Sequence, residues 1–430
     1  TYNTAVGALA GAAISTGVEN TLIGGLSGDA ITTGNNNTAV GHTSLGTNIL
    51  SDHNVAIGND ALATHNTATS IDSYNVAVGS GAGAAVTTGL QNTIIGGNAG
   101  DALTDADFNI AIGTDALGAD TLGSRSIAIG RRALLTQNFT TATDTLNIAV
   151  GFEAGHNITT GIRNVLVGGI AGDALTDADY NVAIGTSALT ADTLGNRNVA
   201  MGDSALSTQN FTTATDSYNV GIGYNAGGAV TTGIQNTCIG GLAGDSITEG
   251  SNNIMVGYQS EVNGATGSNQ ICIGIDINAG GDNNFSFGKA SNVVTNDFDA
   301  DADWSRSSDI RLKRNIEDTT LGLSFINDLR PVKFQWKPSN EVPEIMTSEY
   351  NKENQKNLDY INHGFIAQEV KEAIDNHGDT TFGGWHVDEN DNETQRIKKN
   401  MFIMPLIKAM QELSAMVDEL KQEVKTLKGE

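Results

Sequence analysis

A serine and a lysine five residues apart, Ser308 and Lys313, have the types and spacing in this 430-residue sequence that point to chemistry. A serine hydroxyl becomes a nucleophile when a base removes its proton, and a neutral lysine amine can be that base. Lysine is neutral near pH 7 only where burial or neighbouring positive charge lowers its pKa. Arg311 and Arg314 can supply that charge, or they can bind a carboxylate or a carbonyl. Taken alone, such a pair is most often two solvated side chains.

The pair lies where the composition of the chain changes. Residues 1–307 hold 46 of the 52 glycines and none of the four prolines, with 27 acidic and 7 basic side chains. Residues 308–430 have an ordinary composition, with 22 acidic and 16 basic side chains. The formal net charge of −26 indicates solubility and colloidal repulsion. Nucleic acid is excluded as a partner, because no basic patch attracts a polyanion.

The remaining composition predicts no cofactor, no metal site and no inserted membrane segment. Cys238 and Cys272 occupy equivalent positions and are interpreted as small buried apolar residues rather than as a disulfide or ligand set. No apolar run approaches the roughly 20 residues of a membrane helix. The sequence begins within a repeat, at Thr1, as expected for a piece of a longer polypeptide.

A motif of the form Asn-x-small-(Val/Ile)-Gly recurs through the first 290 residues. Its glycines are spaced 17, 17, 17 and 21 residues apart, and this set repeats every 72 residues. A fixed short period indicates stacked units that cannot bury their apolar faces alone. Segments such as Asn75–Gly79 alternate their side chains with the period of a strand, and turn residues follow them. Stacked asparagines, such as Asn3, Asn20 and Asn37, are predicted to form an amide ladder.

These repeats resemble the head repeats of trimeric autotransporter adhesins and similar repeats of phage fibres. That resemblance implies a parallel β-roll over residues 1–290. The predicted fold is therefore mainly β: a trimeric parallel β-solenoid shaft, followed by a small α+β domain that ends in a coiled coil. Strands about 4.8 Å apart predict a rod of about 80 Å for 17 coils.

Each 21-residue spacing inserts about four residues, which predicts a bulge on the same side of every fourth coil. Two of these insertions are nearly identical and carry Phe139 and Phe211. One interpretation makes them receptor-contact loops. The other makes them structural bulges whose phenylalanines pack on the coil or on a neighbouring chain.

The segment Ser308-Asp309-Ile310-Arg311-Leu312-Lys313 and the later block Gly364-Phe365-Ile366-Ala367-Gln368-Glu369-Val370 resemble the endosialidase-type intramolecular chaperones. In that family a C-terminal domain helps a phage tail spike or fibre to trimerise and then cuts itself off. The resemblance implies a scissile bond between Ser307 and Ser308, with Ser308 and Lys313 as the catalytic dyad. Asp309 and Arg311 match the motif and are candidate supporting residues.

His363 and Glu369 are further candidate supporting residues. The ordinary interpretation of His363 is a structural or capping residue, and that of Glu369 is a carboxylate on a helix surface. The alternative places His363 near the dyad and makes Glu369 an orienter of Lys313. Attack by the Ser308 hydroxyl on the Ser307 carbonyl and attack by water assisted by the dyad would give the same products.

The C-terminal part is predicted to contain a short helix over 321–329, a strand from Pro331, and a helix that follows His363 and stops near Gly378. Apolar residues then follow a heptad pattern from Ile403 to Leu427, which predicts a coiled coil. Ile and Val at the a positions with Leu at d favour dimers, whereas the family resemblance favours trimers, which we adopt. The predicted domains are the shaft 1–290, an acidic linker 291–307, a chaperone and autoprotease domain 308–402, and a coiled coil 403–430.

The predicted function is that of a phage tail fibre or spike for host attachment, made as a precursor that cleaves itself once. Its predicted partners are two further copies of itself, a host surface receptor or glycan, and an upstream tail protein. It would be assembled in the host cytoplasm and located in the virion. The alternative is a trimeric cell-surface adhesin that retains its trimerisation domain. A polysaccharide-degrading spike is a third class, but Asp105, Asp107, Asp177 and Asp179 recur as repeat turns rather than as one acid pair.

Overall fold

The computed structural model describes residues 2–299, 308–346, 349–353, 358–387 and 394–429. The chain divides into two compact units, Thr1–Ser307 and Ser308–Glu430. The predicted scissile residue Ser307 and the end of the predicted acidic linker lie outside the described residues. The first unit is called the shaft below, and the second the C-terminal unit.

The shaft is a parallel β-solenoid in which each coil adds one short strand to the same sheet. Each strand pairs in register with the equivalent strand of the next coil, so that Ala183, for example, lies between Leu166 and Ala200. This confirms the predicted solenoid and its period. The strands are Thr4–Val6, Thr21–Ile23, Thr38–Val40, Val55–Ile57, Val76–Val78, Thr93–Ile95, Ile110–Ile112, Ile127–Ile129, Ile148–Val150, Val165–Val167, Val182–Ile184, Val199–Met201, Val220–Ile222, Thr237–Ile239, Ile254–Val256 and Ile271–Ile275.

The inward side of each coil is filled by one small strand residue and by leucine, isoleucine or valine from the turns. Ala183, Ala188 and Leu189 show the pattern, and all three are fully buried. Cys238 and Cys272 occupy the same strand position, and burial raises the pKa of their thiols to about 12 and about 11. The two cysteines are therefore core residues, as the sequence indicated.

A ladder of asparagine side chains runs beside the core. The main-chain N–H of Asn181 donates to Oδ1 of Asn164 at 3.0 Å, and Asn198 repeats the contact with Asn181 at 3.0 Å. Each Nδ2 also reaches a carbonyl in the next coil, as from Asn181 to Gly195 at 2.9 Å. The ladder satisfies buried polar groups that would otherwise destabilise each coil.

The glycine that ends each strand has no room for a side chain. Gly168 has φ +138°, and a Cβ built on it would lie 2.5 Å from the carbonyl oxygen of Gly185. The obstacle is main chain in the next coil, which cannot move aside without separating the strands. The glycine period therefore reports the distance of closest approach between coils as well as the turn conformation.

The longer coils fold inward rather than reaching out. Phe139 and Phe211 are only 7% and 6% exposed, so the structure favours the packed interpretation over the receptor-contact one for both rings. Beneath each ring lies a buried carboxylate. Asp120 accepts from the main-chain N–H of Phe139 at 3.0 Å and of Gly123 at 3.1 Å, and from Nε2 of Gln137 at 2.6 Å.

We expect Asp120→Ala to destabilise the shaft, because three buried donors would lose their acceptor. The expected loss is about 3 kcal/mol, within the range for hydrogen bonds to a charged group. Thermal unfolding followed by circular dichroism would measure it. Asp105→Ala, which removes an exposed carboxylate from the neighbouring turn, is the control and should leave the transition unchanged. An unchanged transition for Asp120→Ala would show that the bulge is not anchored by this carboxylate.

An antiparallel hairpin closes the solenoid. The strand Asn284–Lys289 continues the parallel sheet, and Asn292–Asp297 pairs back against it in the opposite direction. The range predicted as a linker therefore opens with a strand. The repeat motif ends there, but Val293 and Val294 still pair with the preceding strand. Two-residue pairings complete the shaft: Gly123–Ser124 with Thr143–Asp144, Gly195–Asn196 with Thr215–Asp216, and Ser260–Glu261 with Ile277–Asn278.

The C-terminal unit is a small α+β fold with three helices. Helix α1 spans Leu323–Asp328, α2 spans Ala367–Asn376, and α3 spans Ile403–Lys428. Its strands form two antiparallel pairs and its 3-10 turns are short. The strands are Val332–Phe334 with Asn362–Gly364 and Trp385–Val387 with Gln395–Ile397, and the turns are Ile310–Leu312, Ser339–Glu341 and Lys399–Phe402.

The core of this unit is aromatic. The ring of Phe325 is fully buried and meets those of Phe382 and Phe402 at centroid distances of 5.7 and 6.3 Å. Helix α1 begins at a glycine with no side-chain cap, and the carboxylate of Glu412 on α3 accepts from the main-chain N–H of Leu323 at 2.7 Å. Helix α3 is thus fixed to the domain at its N-terminal half.

The eight predicted heptad residues of α3 are all exposed in the single chain. A seam of this kind is buried only when another helix covers it. The seam therefore supports self-association of the C-terminal unit. Within the described part of the chain, none of the helices has the length and apolar character needed to span a bilayer.

Candidate functional site

The candidate site is one 3-10 turn at the start of the C-terminal unit. Asp309 caps the turn by accepting from the main-chain N–H of Arg311 at 2.8 Å. The main-chain N–H of Lys313 donates to the carbonyl of Ile310 at 3.1 Å and closes the turn. Aspartate is a strong cap because its carboxylate satisfies N–H groups that have no partner within the turn.

The turn brings the two predicted dyad side chains together. Nζ of Lys313 donates to Oγ of Ser308 at 2.7 Å. That distance lies within the range in which a base can accept the proton of a nucleophile. The geometry is compatible with a Ser–Lys dyad, and the catalytic role of the two residues stays a prediction.

Asp309 and Arg311 are paired with each other. Nε of Arg311 donates to Oδ1 of Asp309 at 3.0 Å, and a second guanidinium nitrogen donates to Oδ2 at 2.7 Å. These hydrogen bonds from Arg311 hold the pKa of the Asp309 carboxyl below its usual range. Of the two roles considered for Arg311, the structure contains carboxylate binding, which shapes the turn.

The turn is open to solvent. Ser308 and Lys313 are both exposed, and so are three apolar neighbours. Ile310, Leu312 and Ile316 have 71%, 72% and 63% of their surface accessible. Apolar side chains this exposed on a short segment indicate a surface that is covered by another part of the assembly.

His363 and Glu369 lie on other elements of the C-terminal unit. His363 is in the strand Asn362–Gly364, where its main-chain carbonyl accepts from Nζ of Lys399 at 3.1 Å. Glu369, in the first turn of α2, binds the guanidinium of Arg330 through both carboxylate oxygens, one of them at 3.0 Å. Across the described residues, no hydrogen bond joins either side chain to Ser308 or Lys313.

Arg330 was not singled out from the sequence. It lies just before the strand Val332–Phe334, and its ion pair joins this strand region to α2. The pairing lowers the pKa of the Glu369 carboxyl. A long-range pair of this kind leaves no periodic signal, since the two residues are 39 positions apart.

Comparison with known proteins identifies the domain that contains this turn. Residues 308–379 match the family described as chaperone of endosialidase. The match begins at Ser308 and includes α1, α2 and the strands between them. No curated protein and no solved structure gave a significant match. The chain therefore combines a β-solenoid shaft with a C-terminal chaperone-of-endosialidase domain, an organisation that fits a phage tail fibre.

Proposed function

We propose that this chain is the precursor of a host-attachment fibre in a phage virion, and that it cleaves itself once between Ser307 and Ser308. The observation that carries the proposal is the 2.7 Å contact between Nζ of Lys313 and Oγ of Ser308, at the first residue of the matched domain. A nucleophile at that position lies next to the bond that it would cut.

In the proposed reaction, neutral Lys313 accepts the Ser308 hydroxyl proton as Oγ attacks the Ser307 carbonyl carbon. The bond from that carbon to the nitrogen of Ser308 then breaks, and the nitrogen takes the proton back from Lys313. The result is an ester between Ser307 and the Ser308 oxygen. Water hydrolyses the ester and releases the C-terminal unit with a free amine. Direct attack by a water molecule that the dyad positions would give the same products.

The released unit acts before cleavage as a chaperone that joins three chains. The exposed heptad seam of α3 supports self-association. A repeated parallel solenoid needs this help, because a slip by one 17-residue coil pairs nearly identical strands. Chains joined at one end begin folding in the same register. Assembly would take place in the host cytoplasm, and an upstream tail protein would hold the mature fibre.

Intact-mass analysis of the freshly expressed chain beside Ser308→Ala and Lys313→Ala tests the proposal. We expect two wild-type fragments that meet at the 307–308 bond, and a single uncut chain from each variant. Ser324→Ala, which removes a serine of α1 outside the turn, is the control and should be cut like the wild type. Wild-type chain that stays uncut as a trimer, with the same mass as Ser308→Ala, would instead support an adhesin that retains its trimerisation domain.

A further inference from the structure

A single column of exposed side chains runs along the shaft beside the asparagine ladder. It consists of the residue that precedes each ladder position, and these residues share a left-handed backbone with φ near +50 to +62°. Their main-chain N–H groups bond one coil back, as from Phe108 to Leu90 and from Arg125 to Asp107. The column is therefore continuous from coil to coil.

The column alternates between apolar or aromatic residues and polar ones over ten successive coils. In order, its members are Tyr74, Gln91, Phe108, Arg125, Leu146, Arg163, Tyr180, Arg197, Tyr218 and Gln235. Adjacent coils are about 4.8 Å apart, so that apolar members recur about every 10 Å. The regularity comes from the 72-residue repeat, which places Tyr180 above Phe108 and Arg197 above Arg125.

The rings are open to solvent and have charged neighbours. Tyr74, Phe108, Tyr180 and Tyr218 are between 38% and 52% exposed. The guanidinium of Arg125 lies 5.1 Å from the ring centre of Phe108, and that of Arg197 lies 4.7 Å from that of Tyr180. The arginines hold carboxylates in turn, with Arg125 at 2.9 Å from Asp144 and Arg197 at 3.1 Å from Asp216.

We propose that this column, defined as the residues from Tyr74 to Tyr218, binds a linear polysaccharide lying parallel to the shaft. A pyranose ring has an apolar C–H face and a rim of hydroxyl groups. An exposed aromatic ring fits the first, and the paired carboxylates and guanidinium groups fit the second. A polymer of such rings has a repeat along its length, and the column presents a matching repeat of apolar and polar positions.

The charges distinguish this ligand from the other classes. A protein partner would favour a surface whose centre lacks charge, whereas here a charged group flanks nearly every ring. Nucleic acid is disfavoured by the acidity of the shaft, with 27 acidic and 7 basic residues over 1–307. The inference rests on the proposed attachment function and names the class of receptor and the surface that binds it.

Affinity electrophoresis of the full chain tests the inference, in gels that contain dextran, a β-glucan, alginate or purified bacterial O-polysaccharide. We expect retardation in at least one gel, and binding about tenfold or more weaker in the double variant Phe108→Ala and Tyr180→Ala. The matched control is Tyr224→Ala, which removes a ring that is 62% exposed at another position of the coil. It should bind like the wild type.

Three results would overturn the inference. They are no retardation by any of these polymers, equal weakening in Tyr224→Ala, and a change of oligomeric state in the double variant, which would make the column a chain–chain contact. Adsorption to host bacteria separates this failure from failure of the proposed function. A double variant that adsorbs like the wild type would leave attachment intact and remove the column from it. A wild-type chain that does not adsorb would contradict attachment itself.

Discussion

A chain that carries Leu420→Asp and Val424→Asp in the seam of α3 is expected to be monomeric and to stay uncut. Two carboxylates at neighbouring seam positions would be buried without partners in any helix assembly. We expect self-cleavage to slow at least about 100-fold, because only an assembled chain would place an apolar surface over the turn that contains Ser308 and Lys313.

The physical reason is the exposure of that turn. A lysine of ordinary pKa, about 10.4, is neutral in fewer than about one molecule in a thousand at pH 7. Burial lowers lysine pKa values by up to about 3–5 units and so raises the neutral fraction by orders of magnitude. In the single chain, Ile310, Leu312 and Ile316 surround the dyad with exposed apolar surface, which a second chain would cover.

Sedimentation velocity and intact mass, recorded over time on the same sample, would measure this prediction. The control is Gln411→Asp with Gln422→Asp, which adds the same charge to exposed positions outside the seam. This control should be cut at the wild-type rate. A monomeric seam variant that is cut equally fast would refute the dependence on assembly while leaving the dyad itself in place.

His65 is expected to make the shaft less stable in mild acid. It is fully buried, and burial lowers its pKa from 6.5 to about 4. Its Nε2 lies 3.1 Å from Oγ of Ser73, and its Nδ1 is buried without a hydrogen-bond partner. Between pH 6.5 and 4 the unfolded chain binds a proton that the folded shaft excludes. Stability is therefore complete above pH 6.5 and falls by roughly 3 kcal/mol as the pH drops through this window.

The sequence provides its own replacement for this residue. Gln137 and Gln209 occupy the equivalent position in the two later bulges, where each accepts from a ladder asparagine at 2.9 and 2.8 Å. His65→Gln should therefore flatten the difference in urea midpoint between pH 7.5 and pH 4.5. His42→Gln, at an exposed position, should keep the wild-type difference. Equal acid sensitivity in His65→Gln and wild type would assign the loss to carboxylates instead.

The sequence predicted the parts of the fold that repeat or that use local contacts. The glycine spacing predicted the coils, since each strand-end glycine meets the main chain of the next coil. The 3-10 turn at Ser308 is likewise local, because its cap and its closing hydrogen bond lie within five residues. The predicted range of α2 was also close, ending at Asn376 beside the glycine expected to stop it.

What the sequence did not predict depends on contacts between distant residues. Arg330 and Glu369 are 39 residues apart, and the α1 cap from Glu412 to Leu323 spans 89. The burial of Phe139 depends on where the inserted residues fold, which the length of an insertion leaves open. The alternating column arises only when coils of 17 and 21 residues are stacked, because its members are never neighbours in the chain.

The 72-residue unit makes the length of this fibre a stepwise quantity. In-frame gain or loss of one unit would add or remove four coils, about 19 Å, and return every column, bulge and buried carboxylate to its phase. Loss of a single 17-residue coil would also keep the strands paired, but it would bring two like members of the alternating column together. Recombination between units can therefore tune reach while preserving surface pattern. We expect natural length variants to differ by whole units, which the contour lengths of fibres in electron micrographs would reveal.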